Sequence, residues 1–326
     1  MKENTLTRRE AMKVLGVAAG SVMMGSVLVS TGCKPQATTD SHETVKPESQ
    51  DTPKEEQHYA IKRLIFYFTG TGNSLYVAKQ LSDQVPEHIV SIPQVIHQND
   101  LSFEAEEIGI VYPVYGHMPP NMVRNFIQKA KLKCRYLFSV LTYGKRKCNA
   151  VETWDQICQK AGYKSNYIAT LLMVDNWLPV FDMDEERKLD KKTSENLARI
   201  QADLVSHKNE IEPVTDQERQ EHEEFLKIAG PTFTADGIHA KAEEWFTVTD
   251  KCVSCSVCTR LCPKSNYKIE IEKAVPTGEC ELCFACIHGC PHKAIVVAAG
   301  EKNPNARYRH PEIHLSEIQR ANQQRH

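Results

Sequence analysis

The sequence of 326 residues has little of what marks a membrane span or a nucleic-acid-binding protein. An apolar run at residues 14–29 holds about 16 residues diluted by three glycines, which is short for a membrane-spanning helix. Lys and Arg total 40 against 42 Asp and Glu, for a formal net charge of −2. Because no broad basic surface is indicated, nucleic acid is not expected as a partner. The length suggests about two domains.

Cysteine, in contrast, is plentiful and concentrated. The chain has 12 cysteines, and eight of them form two halves with the same spacing, C-x2-C-x2-C-x3-C-P. The first half contains Cys252, Cys255, Cys258 and Cys262, and the second contains Cys280, Cys283, Cys286 and Cys290. A zinc module or a set of disulfides is the alternative, but zinc modules usually arrange four ligands as two pairs with a longer gap between them.

This spacing resembles that of the bacterial two-cluster ferredoxins, in which the fourth cysteine of each half binds the other cluster. The resemblance implies one 4Fe–4S cluster bound by Cys252, Cys255, Cys258 and Cys290. It implies a second cluster bound by Cys280, Cys283, Cys286 and Cys262. A segment of about 50 residues is too small to bury a sufficient core, so the clusters are expected to form the core of a small α+β domain.

The first 33 residues read as an export signal. Residues 7–13 (Thr-Arg-Arg-Glu-Ala-Met-Lys) resemble the twin-arginine motif, which implies export of a folded protein with its cofactors bound. Residues 30–33 (Ser-Thr-Gly-Cys) resemble a lipoprotein cleavage box, although Ser30 replaces the usual Leu or Val. We therefore expect a lipid at Cys33 and a membrane-anchored location in the cell envelope, on the periplasmic side. An ordinary signal or an uncleaved anchor is the alternative.

A second motif occupies residues 69–74, Thr-Gly-Thr-Gly-Asn-Ser, between a buried-strand pattern and a helical pattern. Helix N-terminal amides and close-approaching glycines bind phosphate in such a loop. The motif is neither a Walker loop nor the dinucleotide G-x-G-x-x-G. It resembles the phosphate loop of flavodoxins, which bind FMN. The resemblance implies FMN contacts from Thr69, Gly70, Thr71, Gly72, Asn73 and Ser74; helix capping is the alternative role of the hydroxyls.

The same resemblance implies a doubly wound α/β fold with a parallel sheet in the order 2-1-3-4-5. Apolar stretches predict the five strands at residues 62–68, 89–92, 108–112, 137–142 and 167–174. Helices are expected at residues 120–131 and 150–161, and another whose buried face carries Leu197, Ile200 and Leu204.

Ligands of doubly wound sheets bind outside the carboxyl ends of the strands. The loops after the third and fourth strands should therefore flank the flavin ring, with contacts from Tyr115, Gly116, Tyr143 and Gly144. Ordinary packing within the loops is the alternative for both tyrosines. Trp177, after the fifth strand, is a candidate for the flavin edge or for the core.

Composition then predicts the organisation of the chain. The expected parts are an export signal (1–33), a disordered tether (34–57), a flavodoxin-like FMN domain (58–212), a helical connector (213–249), a two-cluster ferredoxin domain (250–300) and a polar C-terminal tail (301–326). Cys134, Cys148 and Cys158 are expected to be free thiols, and a disulfide between two of them is the alternative.

Taken together, residues 59–300 resemble the bacterial fused flavodoxin–ferredoxin family, sometimes labelled ferrodoxin. The resemblance implies an electron-transfer protein that relays electrons between FMN and two 4Fe–4S clusters, with another redox protein or a membrane redox complex as its partner. A different hypothesis is an oxidoreductase that reduces a small substrate at the flavin, with His117 or Tyr143 as the proton donor. A third is a lipoprotein that binds a partner without redox turnover.

Overall fold

A computed structural model describes residues 59–82 and 88–323. By their contacts, all of these residues belong to one compact unit. The predicted export signal and tether lie outside the described residues. Within the described part of the chain, no helix is long and apolar enough to cross a membrane.

A six-stranded parallel sheet forms the centre of the first half. Along the sheet the strands run Ile89–Ser91, Arg63–Tyr67, Glu107–Pro113, Tyr136–Tyr143, Tyr167–Leu172 and Glu210–Ile211. The predicted order 2-1-3-4-5 is confirmed, and Glu210–Ile211 adds a short sixth strand. The inner strands are buried along almost their whole length, as expected for a parallel sheet covered on both faces.

Helices cover both faces of this sheet, and the main ones are Asn73–Leu81, Asn121–Lys129, Ala150–Lys160 and Thr193–Val205. The last one buries Leu197, Ile200 and Leu204, as its period predicts. Short elements fill the connections, and they are the helices Ile92–Val95 and Met183–Glu186 and the parallel strand pair Ser102–Glu104 and Lys131–Lys133.

The connector begins with the helix Asp216–Ala229, whose first turn is closed by a capping box between Thr215 and Glu218. It continues through a 3₁₀ turn, a small hairpin and a short helix, at Gly230–Thr232, Phe233–Thr234 with Gly237–Ile238, and Ala242–Trp245. The strand Phe246–Val248 then pairs antiparallel with Ile295–Val297. Residues 246–248, which the sequence analysis placed in the connector, thus pair with a strand that follows the cysteine motifs. We define residues 246–297 as the cysteine-rich segment.

The cysteine-rich segment repeats one local backbone twice. Each half carries a one-turn helix, Val257–Leu261 in the first and Ala285–Gly289 in the second, and a hairpin of Tyr267–Glu270 and Lys273–Pro276 lies between them. In both halves the residues on either side of the second cysteine adopt the left-handed region, and they are Ser254, Ser256, Leu282 and Phe284 with φ of 52–58°. Left-handed non-glycine residues are costly, so their recurrence at matching positions indicates a common structural demand.

The C-terminal segment (residues 301–323) folds back onto both the sheet domain and the cysteine-rich segment. His310 stacks on Tyr76 with ring centroids 4.1 Å apart, and its amide donates to the carbonyl of Thr71. The helix Leu315–Asn322 starts at a capping box between His314 and Glu317. At its end the buried amide of Asn322 donates to the carbonyl of Leu261. The polar sequence after Gly300 is therefore a structural part of the unit.

Candidate functional site

The predicted phosphate loop (residues 69–74) joins the first strand to the helix Asn73–Leu81. Its polar side chains are buried and hold the loop in place. The hydroxyl of Thr69 accepts from the amide of Gly72 at 3.1 Å, and the hydroxyl of Ser74 lies 2.9 Å from that of Thr142. No side chain caps the helix that follows, whose N-cap residue is Gly72 in the left-handed region at φ 102°. The loop thus leaves helix N-terminal amides without a side-chain cap, as an anion site requires.

Gly70 lies where the loop meets the cysteine-rich segment. A Cβ placed on it would overlap the backbone carbonyl of Cys283 and lie 2.8 Å from the hydroxyl of Tyr115. Only glycine therefore permits this approach. The hydroxyl of Tyr115 is buried without a hydrogen-bond partner among the described residues. The missing Cβ of Gly70 makes room for the backbone of Cys283, and the buried orphan hydroxyl of Tyr115 suits a bound group with a polar atom.

The pKa of Tyr115 is raised well above its usual value, first by burial and then by Cys283 and Glu281. The next residue, Gly116, packs on the ring of Phe233, where a Cβ would not fit. Tyr115 and Gly116 therefore lie in the contact between the third-strand loop and the later parts of the chain. Whether they also contact a flavin ring stays a prediction.

The end of the fourth strand and the loop after it contact the phosphate loop through Thr142 and not through Tyr143. Thr142 points toward the phosphate loop, where it contacts Ser74. Successive residues of a strand point to opposite faces, so Tyr143 lies on the other face. Burial and the nearby carboxylate of Glu212 raise the pKa of Tyr143. Gly144 lies tightly against Asp175 of the loop after the fifth strand. The structure thus brings Thr142, which sequence reasoning did not single out, to the loop.

The eight cysteines of the motif fall into two groups in space, and each group lines one cavity. The first cavity is lined by Cys252, Cys255, Cys258 and Cys290. The second is lined by Cys262, Cys280, Cys283 and Cys286. These are the quartets that the ferredoxin resemblance implies, with the fourth cysteine of each half beside the opposite three. None of these eight forms a disulfide, and neither do Cys134, Cys148 and Cys158.

The electrostatics of the thiols agree with this grouping. Burial, followed by Cys290 and Cys252, raises the pKa of Cys258 to about 11. Burial also raises the pKa of Cys283 well above its usual value, with Cys280 as the next cause. Thiols that are hard to ionise must lose their protons when they bind a metal, so loading of either group would release protons.

Hydrogen bonds reach the sulfur atoms in both groups. In the first, the amides of Ala274 and Ala294 donate to Cys252 and Cys290 at 3.4 and 3.3 Å. In the second, the amides of Asn266 and Leu282 donate to Cys262 and Cys280 at 3.3 Å, and the hydroxyl of Tyr267 donates to Cys286 at 3.3 Å. Such bonds stabilise thiolates and raise the reduction potential of iron–sulfur clusters.

Among the described residues, no set of three or more His, Cys, Asp or Glu side chains is arranged around a single metal ion. A cubane places its four thiolates on four different irons, so its ligands are spread more widely than those of one zinc ion. Each cavity is lined by four cysteines, beside which His292 lines the first and Glu281 the second. Iron–sulfur chemistry suits such a set.

A third cavity lies between the phosphate loop and the cysteine-rich segment. Its volume is about 410 Å³, and Gly70 and Thr71 line it together with Cys290, a member of the first quartet. A volume of this size is typical of a small-molecule or cofactor site. The predicted phosphate loop and a predicted cluster ligand therefore face the same space.

A continuous set of hydrogen bonds fixes this junction. The side-chain amide of Asn176 donates to the hydroxyl of Thr71 at 3.0 Å, and the Nε2 of His288 is 2.9 Å from the carbonyl of Asn176. The amide of Tyr308 donates to Nδ1 of His288, and its hydroxyl donates to Asn73 at 2.7 Å. The imidazole is therefore neutral with its proton on Nε2. Burial accordingly lowers the pKa of His288 to about 3.

Glu281 is another residue that sequence reasoning missed. Its buried carboxylate accepts from the amides of Asn121 and Met122, at the start of a helix that covers the sheet. Burial raises the pKa of Glu281 to about 7. Its position between Cys280 and Cys283 was visible in the sequence, but its helix partner comes about 160 residues earlier and no local pattern connects them.

Trp177 packs against the cysteine-rich segment. Its ring stacks on that of Phe284, with centroids 4.9 Å apart and planes 15° apart. Phe284 lies between Cys283 and Cys286, so the tryptophan contacts the loop of the second quartet. Of the two roles expected for Trp177, packing against a core is the one for which the structure gives contacts.

A family model described as a flavodoxin domain matches residues 64–165. No curated protein matches the chain. Among solved structures, a protein of Bacteroides uniformis with a provisional description as a flavoprotein is 16% identical, over 34% of this chain and 90% of that chain, with a TM-score of 0.27. A similarity of that size adds nothing to the assignment. The matched region and the sheet order together show a flavodoxin-like α/β domain, which suggests a flavin-binding redox function.

Proposed function

We propose that this chain is an electron-transfer protein that binds FMN on its flavodoxin-like domain and two 4Fe–4S clusters on its cysteine-rich segment. The observation that carries the proposal is the shared cavity, in which Gly70 and Thr71 of the phosphate loop lie with Cys290. The close approach of Gly70 to the carbonyl of Cys283 also supports the proposal, because it places the phosphate loop next to the second quartet. The two kinds of site are therefore neighbours in one unit.

The residues of the flavin site suit a phosphate and a ring. The uncapped helix start after Gly72 favours a phosphate, and the orphan hydroxyl of Tyr115 offers a hydrogen bond. When bound, FMN can exchange two electrons with one partner and single electrons with another, whereas each cluster carries one electron at a time.

The chain's own contribution is position. The hydrogen bonds from Thr71 through Asn176, His288 and Tyr308 to Asn73 hold the phosphate loop against the helix Ala285–Gly289, which carries Cys286 and leads to Cys290. Because each of these groups has a fixed partner, the distance between the two kinds of site does not depend on a flexible hinge.

The alternative function, reduction of a small substrate at the flavin, has less support. It required a proton donor from His117 or Tyr143, and neither residue lines the shared cavity. The Nδ1 of His117 is buried 3.4 Å from that of His222, and burial and His222 lower the pKa of His117 to about 3. We therefore propose a carrier whose partner is another redox protein or a membrane redox complex.

We further propose that the protein works in the cell envelope, attached by a lipid at Cys33. The support is the sequence alone: a twin-arginine-like motif, a lipobox-like end and a polar stretch at residues 34–57. Cell fractionation with globomycin treatment tests this. An unprocessed precursor that accumulates with the inhibitor is expected, and a protein that stays in the cytosol with its full length would contradict it.

The cofactor proposal is tested by anaerobic quantitation of iron, sulfide and flavin on the purified full chain, together with its visible spectrum. Two clusters and one flavin predict about eight irons, eight sulfides and one FMN per chain. Zinc in place of iron would overturn the cluster assignment. Full iron without flavin in protein purified with added FMN would overturn the flavin assignment.

A further inference from the structure

The shared cavity is strongly basic. Three arginines line it, Arg187, Arg307 and Arg309, and no carboxylate of a described residue does. Two of the three belong to the C-terminal segment, which no motif marked as functional. A cavity with three guanidinium groups and no lining acid favours an anion.

Arg307 is the buried member of the three. Its side chain is 8% exposed, and Nη1 lies 2.7 Å from Glu301. Its Nε is buried without a hydrogen-bond partner among the described residues. A buried N–H without a partner is costly, and an anion bound beside Arg307 would supply an acceptor.

The other two arginines are available to a ligand. The side chain of Arg187 is 48% exposed, and its nearest carboxylate is that of Asp184 at 3.4 Å, an exposed i,i+3 pair that is weak in water. Arg309 is exposed.

From this arrangement we infer that Arg187, Arg307 and Arg309 bind the phosphate monoester of FMN, together with the phosphate loop. The C-terminal segment then completes the flavin site and makes it selective for FMN over riboflavin. The inference rests on the proposed flavin function. Planar guanidinium groups match phosphate oxygens in a bidentate geometry, and helix N-terminal amides supply the remaining donors.

The test titrates the flavin-depleted full chain with FMN, with riboflavin and with FMN in competing inorganic phosphate, followed by flavin fluorescence. The variants are R309Q and R187Q/R309Q, which change exposed side chains and leave the buried Arg307 pair intact. R199Q is the matched control, because Arg199 is an exposed arginine of the helix Thr193–Val205 that does not line the cavity. Iron content is measured in each sample to verify folding.

Each lost charged hydrogen bond should weaken FMN binding by about tenfold, while riboflavin binding and iron content stay unchanged. R199Q should match the parent protein. If FMN and riboflavin bind the parent equally, or if R187Q/R309Q binds FMN as R199Q does, the inference is wrong and the flavin function stands. If the parent retains iron and binds neither flavin, the proposed flavin function itself is wrong.

Discussion

Substitution of Gly70 by alanine probes the contact on which the account depends. The new methyl group would overlap the carbonyl of Cys283 and lie 2.8 Å from the hydroxyl of Tyr115. Gly70 does not have a positive φ, so the effect is steric and not conformational. The carbonyl of Cys283 belongs to the backbone between the predicted ligands Cys283 and Cys286 and cannot rotate away. The free-energy cost of the methyl group should therefore lie near the upper end of the about 1–3 kcal/mol that is typical of overpacking.

Because that cost falls on the interface, it should appear as weaker cofactor binding. A factor of ten corresponds to about 1.4 kcal/mol, so FMN affinity should fall about 10- to 100-fold and the second cluster should be lost more readily. Flavin titration and the rate of iron release to a chelator measure the two effects in the same preparation.

Gly109 offers a matched control. A methyl group there would overlap the ring of Phe138 inside the sheet, far in sequence from either cofactor motif, and Gly109 also lacks a positive φ. G109A should lower the unfolding temperature yet keep flavin affinity and the rate of iron release. If G70A binds FMN and holds iron as the parent does, the phosphate loop does not press on the second quartet and the reasoning fails.

Three further predictions concern other contacts. Y267F removes the hydroxyl that donates to Cys286 and should lower the potential of the second cluster by about 40 mV, from about 1 kcal/mol per hydrogen bond, in protein-film voltammetry; an unchanged potential would refute the contact. The folded-state pKa of His117, about 3, lies below the pKa of the unfolded chain. The neutral imidazole therefore stabilises the fold fully above about pH 6.5, and the free energy of unfolding falls by about 1.4 kcal/mol per pH unit as the pH drops below that value. Calorimetry should therefore show a shallower acid dependence for H117N, and parallel curves for the two proteins would contradict this. Removal of iron should expose the amides of residues 246–297 to hydrogen exchange while the central strands stay protected, and loss of both together would show that the sheet needs the clusters.

The sheet was predictable because its signals are local. Each inner strand is an apolar run of five to eight residues, and Leu197, Ile200 and Leu204 keep the helical period. These patterns predicted the positions of the strands and the buried face of the helix, and the flavodoxin resemblance supplied the order of the strands. The spacing of the cysteines predicted which of them share a cavity, since three closely spaced residues on one turn must take their fourth partner from elsewhere.

Contacts between distant parts of the chain were not predictable. Tyr143 and Thr142 are adjacent, and only the strand register decides that Thr142 faces the phosphate loop. The C-terminal segment looked polar because its few apolar side chains, such as Ile313 and Ile318, are widely spaced, and hydrogen bonds such as that from Tyr308 to Asn73 link it to distant residues. Phe246–Val248 is too short to register as a strand without its partner Ile295–Val297.

The most direct test of the central claim is the rate of electron exchange between flavin and clusters in the same chain. Clusters reduced by a pulse of one-electron reductant would be followed by their visible absorbance alongside that of the flavin. We predict that flavin and cluster signals change together at a rate independent of protein concentration, because the two sites face one cavity. A rate proportional to protein concentration, or clusters that reoxidise without any change at the flavin, would contradict an intramolecular relay.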